Sequence, residues 1–477
     1  MDRPREFFRN SFNYASVQYL VLAMGFVKGI YTAKYLGPAL LGTYGLILLI
    51  IEYVRFANLG VYSAMNLEVS VHQGKAEKRI YLERVINTAL THAIATSGVL
   101  VLAAVVMHFF FVGAVPTDIQ GYIYAICFVG IVGQFKTFTV IHSRLFGRYR
   151  LINFMEFTSN AVILLIIVLL VSEYQLNAVV GAMVVSGSIT LSVALMIAFR
   201  SVQVSLTLRL IKTLVAVGMP LFAYGIVEKI FGTIDRWVII AFLTREDLGH
   251  FTLSLSFLSS TMVLLSSFTF LYYPKFLNIF NLENQKGKSE GLLDQLTSYS
   301  SSFSGVVIGI GLIGIILIEP VIRVFLPQYL ASIVLYRILM IGLIFERISY
   351  FAGTILISNR KQFQLIALLL PLSAVAVLLN LVALKLGWGL YGIATATSVV
   401  MLFYAMAKFG LALRVMNAHS LGFVVTLYKK YIVLVVFMIP VLVLAPSHLY
   451  LIFPLFLLFY LKENTRLFKK LKAGLAL

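Results

Sequence analysis

The sequence predicts an all-α integral membrane protein of about fourteen transmembrane helices, arranged as two six-helix lobes of parallel pseudo-repeat followed by two C-terminal helices. Three observations carry that expectation. Of the 477 residues, 60% are hydrophobic and 12% charged, and apolar runs of ~20 residues, enough to span a bilayer as helix, recur along the chain. Lys and Arg crowd every second loop. A short pattern near the start of the chain returns 207 residues later.

Breaking the apolar windows at Gly, Pro and charge clusters places spans at 12–36, 40–64, 86–112, 119–142, 153–173, 177–199, 213–243, 248–272, 296–320, 331–357, 363–386, 389–413, 431–446 and 447–461. The first follows the basic "MDRPREFFRN". It is too long for a signal-peptide core and lacks a small-residue cleavage site, so it is expected to stay as a span. The last two are short, and a single crossing is the alternative. With the N-terminus inside, segments assigned to the inner side hold 26 Lys and Arg, against Lys34, Arg245, Arg323 and Lys385 outside. Because Lys and Arg are retained in the cytoplasm, both termini are expected there. Basic loops facing an anionic leaflet then account for most of the net charge of +19 without nucleic acid as a partner.

Other chemistries are argued against by the residues present. The single cysteine, Cys127, permits no internal disulfide or cysteine metal site. The inner loop "QKGKSE" resembles the end of a phosphate-binding loop, but Leu282 stands where the first glycine belongs and no strand precedes it.

The recurring pattern is "YLGPALLGTY" (35–44) against "FLTREDLGHF" (242–251). Leu41-Gly42 falls on Leu248-Gly249, Tyr44 on Phe251 and Leu46 on Leu253. Two fainter echoes, "YRLI" (149–152) with "FQLI" (363–366) and Gly181 with Gly392, keep nearly the same offset. All join corresponding spans in the same direction. The expected organisation is therefore an N-terminal lobe over 1–212, a C-terminal lobe over 213–414, and spans 13 and 14 with a basic tail over 415–477. Parallel repeats of this kind are a transporter habit, with substrate sites where the halves face each other.

Charges inside the spans are costly and face a bundle interior or a watery cavity. Eight cations (Lys28, Arg55, Lys136, Lys229, Arg236, Arg337, Arg347 and Lys408) accompany five acids, Glu52, Glu156, Glu228, Asp235 and Glu346. Lys136, Glu156, Arg337 and Lys408 lie near span ends, where snorkelling to the interface is expected. Glu52 and Arg55 are spaced to neutralise each other, and Asp235 and Glu346 to hold Arg236 and Arg347. The glycines of spans 1 and 7, among them Gly25, Gly29 and Gly218, are expected to be close-packing sites, with hinges as the alternative. A net-positive pocket selects anions, phosphate above all, and the remaining polar surface suits sugar hydroxyls. A lipid with a phosphorylated, glycosylated headgroup meets both conditions.

At the level of motifs, the chain resembles the polysaccharide flippases of the multidrug/oligosaccharidyl-lipid/polysaccharide (MOP) exporter superfamily. The likeness rests on "YLGPALLGTYGL", "PLFAYGIVEKIFGTIDRWVII", "LGHFTLSLSF", "YYPKF", "IEPVIRVFLPQYLAS" and "GLYGIATATS", in that order. It implies a non-enzymatic transporter of the bacterial inner membrane. Two six-helix lobes would move an undecaprenyl-pyrophosphate-linked oligosaccharide, such as an O-antigen or capsule unit, to the outer leaflet by alternating access, beside the polymerase and chain-length proteins of its pathway. Lys28, Arg55, Lys229, Arg236 and Arg347 are then expected to bind the pyrophosphate and acidic sugars. Gln18, Asn58, Tyr62 and Tyr224 are expected to meet hydroxyls. Glu52, Glu228, Asp235 and Glu346 serve ion coupling or structural pairing. No metal or other cofactor is expected; a proton gradient, a sodium gradient and the membrane potential are all consistent driving forces. A multidrug exporter of the same superfamily would want acids in the first lobe, where span 1 carries Lys28 and no Asp or Glu. A lipid II flippase fits the charge pattern equally. A glycan polymerase or ligase would show a large outer loop, and the sequence has none.

Overall fold

The described residues, 4–72, 76–201, 207–285 and 289–416, form thirteen α-helices and no strand in the computed structural model. In chain order these are α1 (Pro4–Val54), α2 (Val61–His72), α3 (Arg79–Phe110), α4 (Ile123–Leu145), α5 (Tyr149–Ser201), α6 (Leu208–Phe231), α7 (Ile234–Phe242), α8 (Arg245–Gln285), α9 (Ser289–Phe325), α10 (Ala331–Ile348), α11 (Tyr350–Ser358), α12 (Gln362–Lys385) and α13 (Gly389–Val415). Predicted spans 13 and 14 and the basic tail lie outside the described residues.

Nine helices among the described residues are long and apolar enough to cross a membrane. Two of these hold two crossings each, since α1 and α5 run for 51 and 53 residues and a crossing needs ~20. Their joints are where the sequence puts loops. Gly37 takes φ 69°, open to glycine at no steric cost, and Pro38 follows at the first helical position, where its missing N–H costs nothing. In α5 the joint is Gln175, at φ 44°.

Three spans predicted as continuous are broken. Span 2 unwinds after Val54 into a 3-10 turn, Arg55–Asn58, and passes through Leu59 and Gly60, both at positive φ, before α2 begins. Span 7 is α6 plus α7, separated at Gly232 and Thr233, whose hydroxyl donates to the Ile230 carbonyl at 3.1 Å. Span 10 is α10 plus α11, and Ser349 Oγ donates to the Glu346 carbonyl at 2.6 Å. In the last two a short hydroxyl side chain competes with the helix for its own backbone acceptors.

The chain divides into two compact units, residues 1–229 with 244–253, and residues 230–243 with 254–477. In the first, α1 and α4 pack on α5, and the core gathers Val61, Met65, Val85, Leu90, Phe135 and Phe138. In the second, α10 and α12 pack on α13 and α9 on α10, around Leu335, Ile355, Ile393 and Phe409, each fully enclosed.

The two copies of the repeated pattern touch within the first unit. A Cβ at Gly42 would strike the Arg245 carbonyl, and one at Gly249 would strike the Pro38 carbonyl. Residues 38 and 245, like 42 and 249, are 207 apart. The contact is therefore reciprocal, each copy presenting to the other the surface it receives. Gly45 meets Thr252, its own equivalent, in the same way. Beside this crossing Arg245 Nε donates to Asp118 Oδ2 at 2.8 Å, and Thr43 Oγ1 to the same oxygen at 3.0 Å.

Candidate functional site

In the first unit, span 2 and α6 run antiparallel and meet at successive levels. Gly60 lies against Gly218, where a Cβ on either would meet the other's backbone, so packing is the role of this pair. Phe56 meets Phe222 edge-on at 6.2 Å. Farther along, Lys229 Nζ pairs with Glu52 Oε2 at 2.5 Å. The spacing of Glu52 and Arg55 survives, since Val54 keeps helical dihedrals, but Glu52 takes its partner across helices in Lys229 rather than along its own. Arg55 is left without an acid among the described residues; its stem lies on α4, where a Cβ at Gly133 would come within 2.6 Å of Arg55 Nε.

One turn along α4 from Gly133, Lys136 pairs with Glu156 of α5 at 3.0 Å, both side chains about a quarter exposed. The snorkelling expected of these two is corrected by this lateral pair. Lys28, half-buried on α1, has no hydrogen-bond or ion-pair partner among the described residues, and the neighbouring charge it feels is a second cation, Lys136. Gly25 and Gly29 on the same helix have open space where a Cβ would stand, so the expected close packing is absent there.

In the second unit Lys408, Arg347 and Arg337 are matched with acids. Lys408 is 5% exposed, donates to Glu346 Oε1 at 2.8 Å and sits 4.3 Å from the Tyr404 ring centroid. Arg347 Nε lies 3.0 Å from the other oxygen of Glu346. Arg337, also 5% exposed, donates to Glu319 Oε2 at 2.6 Å, and Glu319 Oε1 accepts from Arg323 at 2.8 Å. Snorkelling is therefore corrected for Arg337 and Lys408 too. Each is enclosed with an acid, and Glu319 is an acid the span count had missed.

Asp235, 6% exposed, accepts the Arg236 backbone N–H at 2.7 Å and a hydrogen bond from Thr397. It lines a cavity of about 20 Å³ with Asn380, Thr397, Ala376 and Val400, enough for one water-sized occupant. Asn380 Oδ1 is buried there without a hydrogen-bond partner. These oxygens from spans 7, 11 and 12 are a donor set suited to a hard cation. Among the described residues, no group of three or more His, Cys, Asp or Glu is placed to hold a metal ion.

The four expected hydroxyl-contacting residues fare differently. The Asn58 amide is used within its own turn, donating to the Arg55 carbonyl at 2.9 Å and accepting from Gly60 N at 3.0 Å. Tyr62 is 2% exposed against Phe138. Tyr62 is thus enclosed, and the half-buried Asn58 side chain is spent on its own turn. Tyr224 donates to Glu228 at 2.8 Å, and Gln18 is half-buried on α1. Sequence reasoning missed Gly133 and the pair Asn380 and Thr397; a polar residue in an apolar run was the available signal for the last two.

The profile of the polysaccharide biosynthesis protein family matches residues 7–280, more than half of the chain. The chain belongs to that family. Solved structures agree on the fold. The lipid II flippase MurJ, in an inward closed conformation, superposes with a TM-score of 0.68 at 14% identity, over 96% of this chain and 99% of that one. An inward-facing multidrug resistance MATE family transporter of the MOP superfamily gives a TM-score of 0.61 at 13% identity, over 84% and 98%. No curated protein matches significantly. The protein is thus a polytopic membrane protein with the all-helical fold of MOP-superfamily transporters.

Proposed function

We propose that this protein is a flippase that carries an undecaprenyl-pyrophosphate-linked oligosaccharide, an O-antigen, capsule or related unit, from the cytoplasmic to the outer leaflet of a bacterial inner membrane. The observation that carries the reading is the pair of cations without acid partners among the described residues, Lys28 and Arg55, in a unit where Lys136 and Lys229 are paired. An unneutralised cation inside a span is too costly to keep without a use, and a diphosphate supplies the missing charge. Both termini would face the cytoplasm, as the loop charges require.

Two driving forces have a physical basis here. An inside-negative potential favours outward movement of an anionic headgroup by about 2.3 kcal/mol per charge per 100 mV. The Asp235, Asn380 and Thr397 cavity would take a coupling cation, with Asp235 supplying the charge. Glu346, held between Lys408 and Arg347, would serve structural pairing. Lys229 and Arg347 would bind substrate only by leaving Glu52 and Glu346.

The test is deletion of the gene in its host, with surface polysaccharide followed on gels and lipid-linked oligosaccharide by mass spectrometry. Loss of surface polymer with accumulation of complete, unpolymerised lipid-linked units is expected. Accumulation of lipid II would move the substrate to the peptidoglycan precursor, and unchanged glycans with altered sensitivity to cationic dyes would overturn the reading.

A further inference from the structure

The break in span 2 is held from outside by one residue that no binding role requires. Of the backbone groups freed between Arg55 and Gly60, the Arg55 carbonyl is met by Asn58 Nδ2, Gly60 N by Asn58 Oδ1 and the Phe56 carbonyl by Leu59 N at 3.2 Å. The Asn58 carbonyl is met by His92 Nε2 of α3 at 3.1 Å. A carbonyl only accepts, so Nε2 carries the proton. His92 is 7% exposed, and without it this part-buried acceptor would lose its side-chain donor inside a predicted span, where backbone groups are best satisfied within the protein.

The segment is also strained, Leu59 sitting at φ 48°, a region that L-residues other than Asn and Asp rarely enter. The repeat supplies a control. At an offset of 207, Arg55 corresponds to Met262 and Gly60 to Ser267, and α8 runs through both as uninterrupted helix. The break and the cation are present together in the first copy and absent together from the second.

We infer that His92 is a positioning residue for Arg55: by holding the Asn58 carbonyl it fixes the unwound turn that lays the Arg55 guanidinium on Gly133, ready for a diphosphate. The inference rests on the flippase reading. His92 itself touches no substrate.

The experiment measures binding of farnesyl diphosphate to the detergent-purified full chain by calorimetry. Arg55→Gln is expected to weaken it at least tenfold. His92→Leu, which removes the donor, should weaken it about tenfold, while His92→Gln, whose Nε2 reaches the same place, stays within twofold of the parent. The decisive comparison is the double variant His92→Leu with Arg55→Gln, expected to bind no more than twofold worse than Arg55→Gln alone, because residues acting as one unit are not additive. Asn58→Ala, which loses the turn's other supports, should repeat the pattern if His92→Leu fails to fold. Parental binding by His92→Leu beside a weakened Arg55→Gln, or a double variant showing the product of both losses, overturns the inference and leaves the phosphate site standing. If the parent does not bind the probe, or Arg55→Gln binds it as the parent does, the flippase reading itself falls.

Discussion

Lys28 and Lys408 are lysines within spans of the same chain, and their surroundings assign them opposite properties. Lys408 is enclosed with Glu346 at 2.8 Å, whereas Lys28 has no acid partner among the described residues and feels the charge of a second cation, Lys136. Removing Lys28 breaks no pair, so Lys28→Ala should abolish transport with no loss of thermal stability in detergent; a variant that transports normally at normal protein levels refutes the phosphate role. The reverse holds at Arg337 and Glu319, whose side chains are 6% and 7% exposed. Breaking such a pair from one side leaves a bare buried charge, at about 3–5 kcal/mol. Glu319→Leu should therefore lower the melting temperature sharply, and Glu319→Leu with Arg337→Met should recover most of the loss. Equal melting of single and double variants would show the pair to be unimportant.

At the scale of elements, the sequence made some breaks legible and hid others for a physical reason. Gly37-Pro38 reads as a joint because proline has no N–H to continue a helix, and the structure joins spans 1 and 2 there. At Asn58-Leu59-Gly60 the turn chemistry is equally present in Asn58 and Gly60, but an unbroken helix would put Asn58 on the face of Glu52 and Arg55. In the turn that forms instead, the Asn58 amide serves the backbone. The His92 bond was not legible at all, since it joins residues 34 apart. Candidate site residues followed the same division: the charged positions stood out in apolar surroundings, while which cation met which acid depended on contacts between helices that periodicity cannot show. Leu59→Gly tests the strain. It should raise stability by about 1 kcal/mol, the cost of a left-handed L-residue, measured as a higher melting temperature; an unchanged or lower value would show the turn to be relaxed.

For the whole molecule, the proposed flippase cycle, if it runs by alternating access, would require the crossing of span 2 and the start of α8 to part. Cysteines at Gly45 and Thr252 test this, since a Cβ at residue 45 would lie 3.2 Å from Thr252 Cβ, within a few tenths of an ångström of the ~3.5–4.5 Å a disulfide takes. Oxidation of Gly45→Cys/Thr252→Cys should form the cross-link and stop export, with reduction restoring it. The native Cys127 is buried and does not compete. Export that continues through a fully cross-linked chain would mean that the crossing stays shut throughout the cycle.

That crossing also carries a history. A contact in which each partner offers the surface it receives is the self-complementary interface of a two-fold dimer, here drawn from a single chain. Pro38 with Gly42 and Arg245 with Gly249 stand as matching residues would stand across the contact of a half-sized ancestor's dimer. Gene duplication and fusion would then have freed each copy to diverge. The first kept or acquired the unwound, cation-bearing span, and the second straightened into α8. The ancestral contact survived where backbones approach too closely for any side chain but hydrogen.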